Sequence, residues 1–321
     1  MSSAKDRQPY RRFAMRVLLV DDDMDILKVL SLGLASNGSF TVETASSAIQ
    51  GLEKIAHADR PFDLFLLDIQ MPKMTGVELC RRIRSLPDYR YAPIIMVTAM
   101  SDKKHVDDAF AAGATDYVNK PVDFDDLRLR IKQALQSSAR VEQLDTTSQN
   151  MTKAVALSDA ITIDDVDGVL KVHSFENYLT HLGRLKFRAT KLQILTVTNI
   201  ASIYERCTSQ EFIDEVTDIA ECISDALCDH APMITYFGRG IFGIATHGHY
   251  VDSIVNVSDN IRRQILETGL VFRDGSPVQV EFDVIGIGRK TFLSPHTQVA
   301  FVDRMIGELK TAAQSDEPLF Q

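Results

Sequence analysis

Tryptophan is absent from the 321 residues and cysteine is scarce, at Cys80, Cys207, Cys222 and Cys228 only. The first absence excludes nothing. The second excludes a disulfide framework and a Cys-rich zinc site, because the four form no CxxC pair and no Cys/His ligand spacing. A reduced, cytoplasmic protein is expected. The sequence His247-Gly248-His249 comes nearest to a ligand pair, but it has no partner ligands and reads as a loop. Long apolar runs are missing too: none approaches the ~18–20 residues of a helical span, so no membrane is expected. The opening MSSAKDRQPYRRFAMRVLLV has no separate apolar stretch and is not read as a signal peptide. Arg11, Arg12 and Arg16 read as part of a solvated tail. Positive charge is the minority, with 35 Lys and Arg against 44 Asp and Glu, a formal net charge of −9. Phosphate contacts need clustered cations, which makes nucleic acid an unexpected partner.

What is present is ordinary globular material, 45% hydrophobic and 25% charged, long enough for two domains. Residues 16 to 135 alternate strand and helix patterns five times. The strands are Arg16–Val20, Phe40–Thr44, Asp63–Leu67, Pro93–Thr98 and Thr115–Asn119. The intervening helices are Ile26–Ala35, Ser46–Ile55, Gly76–Ser85 and Lys104–Ala112, with Asp125–Leu135 closing the series. Continuous apolar strands in this order predict a doubly wound, five-stranded parallel sheet covered on both faces. Residues 136–160 turn polar, with Val141, Leu144, Met151 and Val155 near a/d spacing, and read as a helical linker.

In such sheets, sites form beyond the carboxyl ends of the strands. Four of the five strands end in reactive types there: Asp21 and Asp22, Asp68, Thr98, and Lys120. Clustered carboxylates repel one another and suit a hard cation with oxygen ligands, which points to Mg²⁺. Beside it, Asp68 can attack a phosphoryl group, Lys120 can neutralise the phosphoryl oxygens and Thr98 can donate to one of them. Thr98 would be drawn inward only when phosphate is present. Asp23 reads as a helix N-terminal residue rather than a ligand.

The segments RVLLVDDD, FLLDIQMPKMTG, PIIMVTAM and DYVNKPVD resemble the receiver domain of two-component response regulators. The resemblance implies a flavodoxin-like fold with Asp68 as phosphoacceptor. It makes Asp21, Asp22, Asp68 and the Gln70 main-chain carbonyl the Mg²⁺ site, with Asp21 acting largely through water. Thr98 and Lys120 would contact the phosphoryl group, and Tyr117 would turn inward as Thr98 moves. A sensor histidine kinase or phosphotransfer protein is the implied donor.

The second half follows another order. Helices are predicted over Ser174–Leu182, Ser209–Leu227, Tyr250–Leu266 and Gln298–Ala313. Strands are predicted over Leu192–Thr198, Met233–Phe237, Ile241–Ala245 and Val278–Ile287. The core order βαββαβ suggests a ferredoxin-like α+β sandwich. SFENYL, LQILTVTNI, ITYFGRGIFGIA and VQVEFDVIGIG resemble the GGDEF domain of diguanylate cyclases. The family's signature stands here as Gly238-Arg239-Gly240-Ile241-Phe242, without its acids, and 194–204 holds no Asp or Glu. Without carboxylates, two-metal phosphoryl transfer has no place for its cations, so no cyclase activity is expected. Arg239 reads as a solvated turn residue; Tyr236, Phe237 and Phe242 read as packing.

The expected organisation is an N-terminal tail over 1–14, a receiver over 15–137, a helical linker over 138–168, a degenerate GGDEF-like output domain over 169–314 and a C-terminal tail over 315–321. Phosphorylation of Asp68 is expected to control a non-enzymatic output acting by protein–protein contact, with a homodimer forming on phosphorylation. The alternative is an output domain that senses a nucleotide or cyclic-di-GMP without chemistry.

Overall fold

A computed structural model describes residues 14–36, 38–99, 105–150, 155–163, 166–182, 184–247, 254–287 and 295–315. The two expected tails lie almost wholly outside the described residues, as do His249 and the start of the helix expected from Tyr250. The chain divides into two compact units, one of Met1–Ala112 with Tyr117–Ser138, the other of Gly113–Asp116 with Ala139–Gln321.

The first unit alternates strands and helices. In chain order they are β1 (Met15–Val20), α1 (Met24–Ala35), β2 (Phe40–Ala45), α2 (Ala48–Ala56), β3 (Leu64–Asp68), α3 (Gly76–Arg84), β4 (Ile94–Ala99), α4 (Val106–Ala111) and β5 (Asp116–Lys120), followed by α5 (Phe124–Asn150). The sheet is parallel and flavodoxin-like, in the order β2-β1-β3-β4-β5. All of β3 and the last four residues of β1 are buried, as expected for strands covered on both faces. Side-chain caps fix where the helices begin. Asp23 accepts from the amides of Asp25 and Ile26, Ser47 from Gln50 and Thr75 from Glu78. The chain leaves β1 to one side for β2 and to the other for β3. That places the switch point, and any site it creates, at the carboxyl ends of β1 and β3.

The second unit holds α6 (Val172–His181), α7 (Arg184–Ala189), β6 (Lys191–Val197), α8 (Ile200–Arg206), α9 (Ser209–Ala226), β7 (Met233–Gly238), β8 (Ile241–Thr246), α10 (Ile254–Thr268), β9 (Phe282–Gly286) and α11 (Pro295–Gln314). Its sheet runs β7-β8-β6-β9, and each neighbouring pair is antiparallel. The core gathers Phe212, Val216 and Ile219 of α9 and Val257 and Ile261 of α10 against Leu195, Tyr236 and Phe242 of the sheet.

Three differences from the sequence reading have physical causes. Helices α7 and α8 span under two turns each, too short for a period to stand out. The strand expected over Val278–Ile287 begins only at Phe282, because the preceding residues bond elsewhere. Val278 donates to Leu270, and the Glu281 amide donates to Asn199 Oδ1 at 3.1 Å. Among the described residues of the expected helical linker, those through Asn150 are helical and 155–163 are irregular, with Asp159 Oδ2 accepting from the Ala156 amide at 2.8 Å to close a turn.

An acid of α9 lies against the second core. Glu215 is 6% exposed, and its Oε2 has no hydrogen-bond partner. Burial first, then the charges of Asp218, Asp214 and Glu211, push its carboxyl up to about 7.

Candidate functional site

Asp21 directly follows β1, Asp68 ends β3, Thr98 lies near the end of β4 and Lys120 ends β5. Parallel pairing sets Asp68 opposite Val97, so Thr98 stands one residue further along β4. The sheet thus brings together at one edge residues as far as 99 positions apart in sequence, Asp21 and Lys120.

Ligand oxygens of Asp21, Asp22 and Asp68 all lie within 4.8 Å of one another, with Asp21 and Asp68 buried and Asp22 exposed. This is the one such group of three among the described residues. Lys120 Nζ lies 2.6 Å from Asp68 Oδ1 and 2.7 Å from Asp21 Oδ2. The Asp23 amide donates to Asp21 Oδ1 at 2.9 Å, fixing that carboxylate's orientation. Burial pushes the Asp68 carboxyl up to about 6; Asp21 and Asp22 add to the shift and Lys120 opposes it. Burial also works against the Lys120 charge, but its bonds to Asp21 and Asp68 prevail and raise its pKa. One ammonium, paired with two of the three carboxylates, leaves the cluster a formal deficit of two positive charges. A divalent cation with oxygen ligands matches that deficit and donor set.

The loop after Asp68 is held by backbone. The Gly76 amide donates to the Ile69 carbonyl at 2.9 Å. A Cβ on Gly76 would lie 1.8 Å from the Asp68 carbonyl oxygen. Gly76→Ala is therefore expected to cost about 2–3 kcal/mol and to displace the Asp68 backbone. Unfolding midpoints against denaturant for the two proteins check it; an unchanged midpoint would contradict the close approach. Gln70 and Asp22 line one open groove of about 740 Å³ with Thr75, Arg81, His105 and Asp108.

Thr98 is fully buried, and its hydroxyl donates to the Ala99 carbonyl at 3.2 Å. Tyr117 is already packed inward in this structure, its ring edge-on to Phe110 with centroids 6.3 Å apart. Asp23 caps α1 and is not a cluster member, as its position suggested.

In the second unit, Gly238-Arg239-Gly240 forms the β7–β8 turn, with Ile241 and Phe242 buried in β8. Tyr236 and Phe237 are buried as expected. The solvated turn expected for Arg239 is not what forms: its amide donates to the Leu157 carbonyl at 2.7 Å, and both flanking glycines are buried. His247 shares hydrogen bonds with the Tyr178 hydroxyl and, at 2.9 Å, with Thr190 Oγ1, so it is built into the fold rather than offered as a ligand. Sequence reasoning missed the covered turn, since irregular backbone gives no signal, and the burial of Glu215, which its spacing from Phe212 and Ile219 on α9 could have shown. No helix among the described residues is long and apolar enough to cross a membrane.

Comparison with known proteins bears on the first unit. The family model described as "Response regulator receiver domain" matches residues 17–132. Response regulator MprA of Mycobacterium ulcerans is 33% identical over 159 residues, covering 50% of this chain and 66% of the relative. Response regulator ArlR of Staphylococcus epidermidis is 32% identical over 129 residues, 40% of this chain and 56% of the relative. Among solved structures, a putative response regulator from Chloroflexus aurantiacus is 33% identical, with a TM-score of 0.36, covering 38% of this chain and 98% of that one. The chain spans between about half and two thirds of the length of the curated relatives it matches.

Proposed function

Because residues 17–132 are a response regulator receiver domain, we propose that the chain is a cytoplasmic two-component response regulator switched by phosphorylation of Asp68. The observation that carries this reading is Lys120 held between Asp68 and Asp21, at 2.6 and 2.7 Å, within a three-carboxylate cluster. Asp21, Asp22, Asp68 and the Gln70 carbonyl would hold Mg²⁺. When bound, the ion supplies charge that draws a phosphoryl group to the site. In the transfer, Asp68 Oδ attacks the phosphorus of a phosphohistidine. The new P–O bond forms as the P–N bond breaks, and the imidazole nitrogen keeps the electron pair and takes a proton from solvent. Lys120 then lies beside the phosphoryl oxygens, and the Thr98 hydroxyl moves to meet the group beside a Tyr117 ring already turned inward.

We place the receiver at 15–137, the linker at 138–168 and the output domain at 169–314. Strand order and connectivity support a ferredoxin-like, GGDEF-related output: numbered from β6, the order is 2-3-1-4 with all pairs antiparallel. Its turn lacks carboxylates and is covered by residues 157–158, which supports a domain without cyclase activity and weighs against the nucleotide-sensor alternative. Asp214, Asp218, Glu221 and Asp225 form an exposed acidic stripe on α9 that repels phosphate backbones, so a protein partner is favoured over nucleic acid.

Two expected outcomes test this. Saturating Mg²⁺ raises the thermal midpoint of the first unit, and that rise is largely lost in Asp68→Asn. Beryllofluoride with Mg²⁺ roughly doubles the mass in light scattering, as phosphorylation-linked dimerisation requires. Equal Mg²⁺ responses in the two proteins would overturn the metal site; an unchanged mass would overturn the dimer.

A further inference from the structure

The β7–β8 turn has an occupant supplied by the chain itself. Three successive residues hold positive φ, 107° at Gly238, 50° at Arg239 and 74° at Gly240. Arg239 is the exception, since L side chains rarely adopt that conformation. Its amide is satisfied by the Leu157 carbonyl at 2.7 Å. A Cβ on Gly238 would lie 2.4 Å from the Ser158 carbonyl oxygen, so the turn approaches this backbone as closely as glycine permits. Below, the Gly240 amide donates to the Tyr236 hydroxyl at 3.1 Å.

The covering segment is anchored at both ends. The Val155 amide donates to Ser209 Oγ at 3.0 Å, and the Tyr204 hydroxyl donates to the Val155 carbonyl at 2.7 Å. Leu157 and Ile161 pack against the core of the second unit, and Ile163 is part of it. Among the described residues no salt bridge is seen on the segment; the contacts it makes there are the hydrogen bonds of Val155 and of the Leu157 carbonyl and the packing of a few apolar side chains. Lifting it would leave the Arg239 amide without its acceptor. Segment and turn are therefore coupled through that bond, since a buried amide left unpaired is costly. It begins only five residues beyond Asn150, the last residue of α5.

We propose that residues 155–163 are a strap that keeps the Gly238-Arg239-Gly240 turn closed, and that displacement of α5 on phosphorylation lifts strap and turn together. The coupling to phosphorylation rests on the receiver reading above; the closure of the turn by the strap does not.

Amide hydrogen exchange on the full chain separates the two. Beryllofluoride with Mg²⁺ is expected to speed exchange by about tenfold in peptides covering 155–163 and 236–242, with β6 and α9 unchanged, as for a local opening. A response in peptides around Thr98 and Tyr117 without one at strap and turn would overturn the coupling. No response in either would count against the receiver reading and the coupling together. The strap itself is judged by Asp159→Ala, an exposed change that removes the Ala156 bond. It is expected to speed exchange at strap and turn together, without any phosphoryl mimic. Fast exchange in the strap with a protected turn, or no change in either, would overturn the closure.

Discussion

Asp68→Asn is expected to stabilise the metal-free protein at pH 8 by about 2–3 kcal/mol and to leave it no more stable than wild type near pH 3.5. The Asp68 carboxyl titrates near 6 in the folded chain against 3.8 when unperturbed, chiefly because it is buried. An acid raised in this way holds a proton in both states at low pH and so costs nothing there. As pH rises from about 4 through 6, the unfolded chain releases that proton first and native stability falls. Above about 6 the full penalty persists. Asparagine removes the charge yet leaves an oxygen for Lys120, while Asp21 keeps the ammonium paired. Denaturant titrations at the two pH values check it; equal stabilities at pH 8 would mean that the buried carboxylate is not held at a cost. Such a cost is the functional point, because a cluster short of positive charge is poised to gain from a divalent cation.

Glu215→Met is expected to stabilise the second unit by about 2–3 kcal/mol at pH 8.5, with the gain shrinking as pH falls from about 7 towards 4.5. The direction follows as for Asp68: burial, with Asp218, Asp214 and Glu211 nearby, raises the carboxyl from 4.5 to about 7. The variant removes an oxygen that has no hydrogen-bond partner and keeps a side chain of similar length beside Phe212 and Val216. Thermal midpoints of the second unit across that pH range are the measurement. A destabilised variant at pH 8.5 would show that the carboxylate is held by more than burial.

These two acids mark how far the sequence could be read. Asp68 was legible because it ends an apolar run, and parallel strand order puts such ends at one edge; Asp21, Thr98 and Lys120 were found the same way. Asp23 was rightly set aside as a cap, since its place before α1 is a local property. Glu215 could have been found and was not: it stands three residues after Phe212 and four before Ile219, inside the apolar stripe of α9, where the helical period puts it against the core. Arg239 was misread because the sequence shows the turn but not the Leu157 carbonyl, 82 positions earlier, that covers it. The same limit hid the short pairing of Val271 with Pro277, which shortens β9. Periodicity reports which face is apolar; it does not report which distant backbone arrives there.

Phosphoryl acceptance by Asp68 underlies the function proposed for this chain. Intact-mass measurement after incubation with a small phosphodonor and Mg²⁺, followed by reductive trapping and peptide mapping, tests it most directly. The expected result is one phosphoryl group per chain, mapped to Asp68, absent in Asp68→Asn and absent when Mg²⁺ is chelated. A phosphoryl group on any other residue, or the same mass gain in Asp68→Asn, would contradict it.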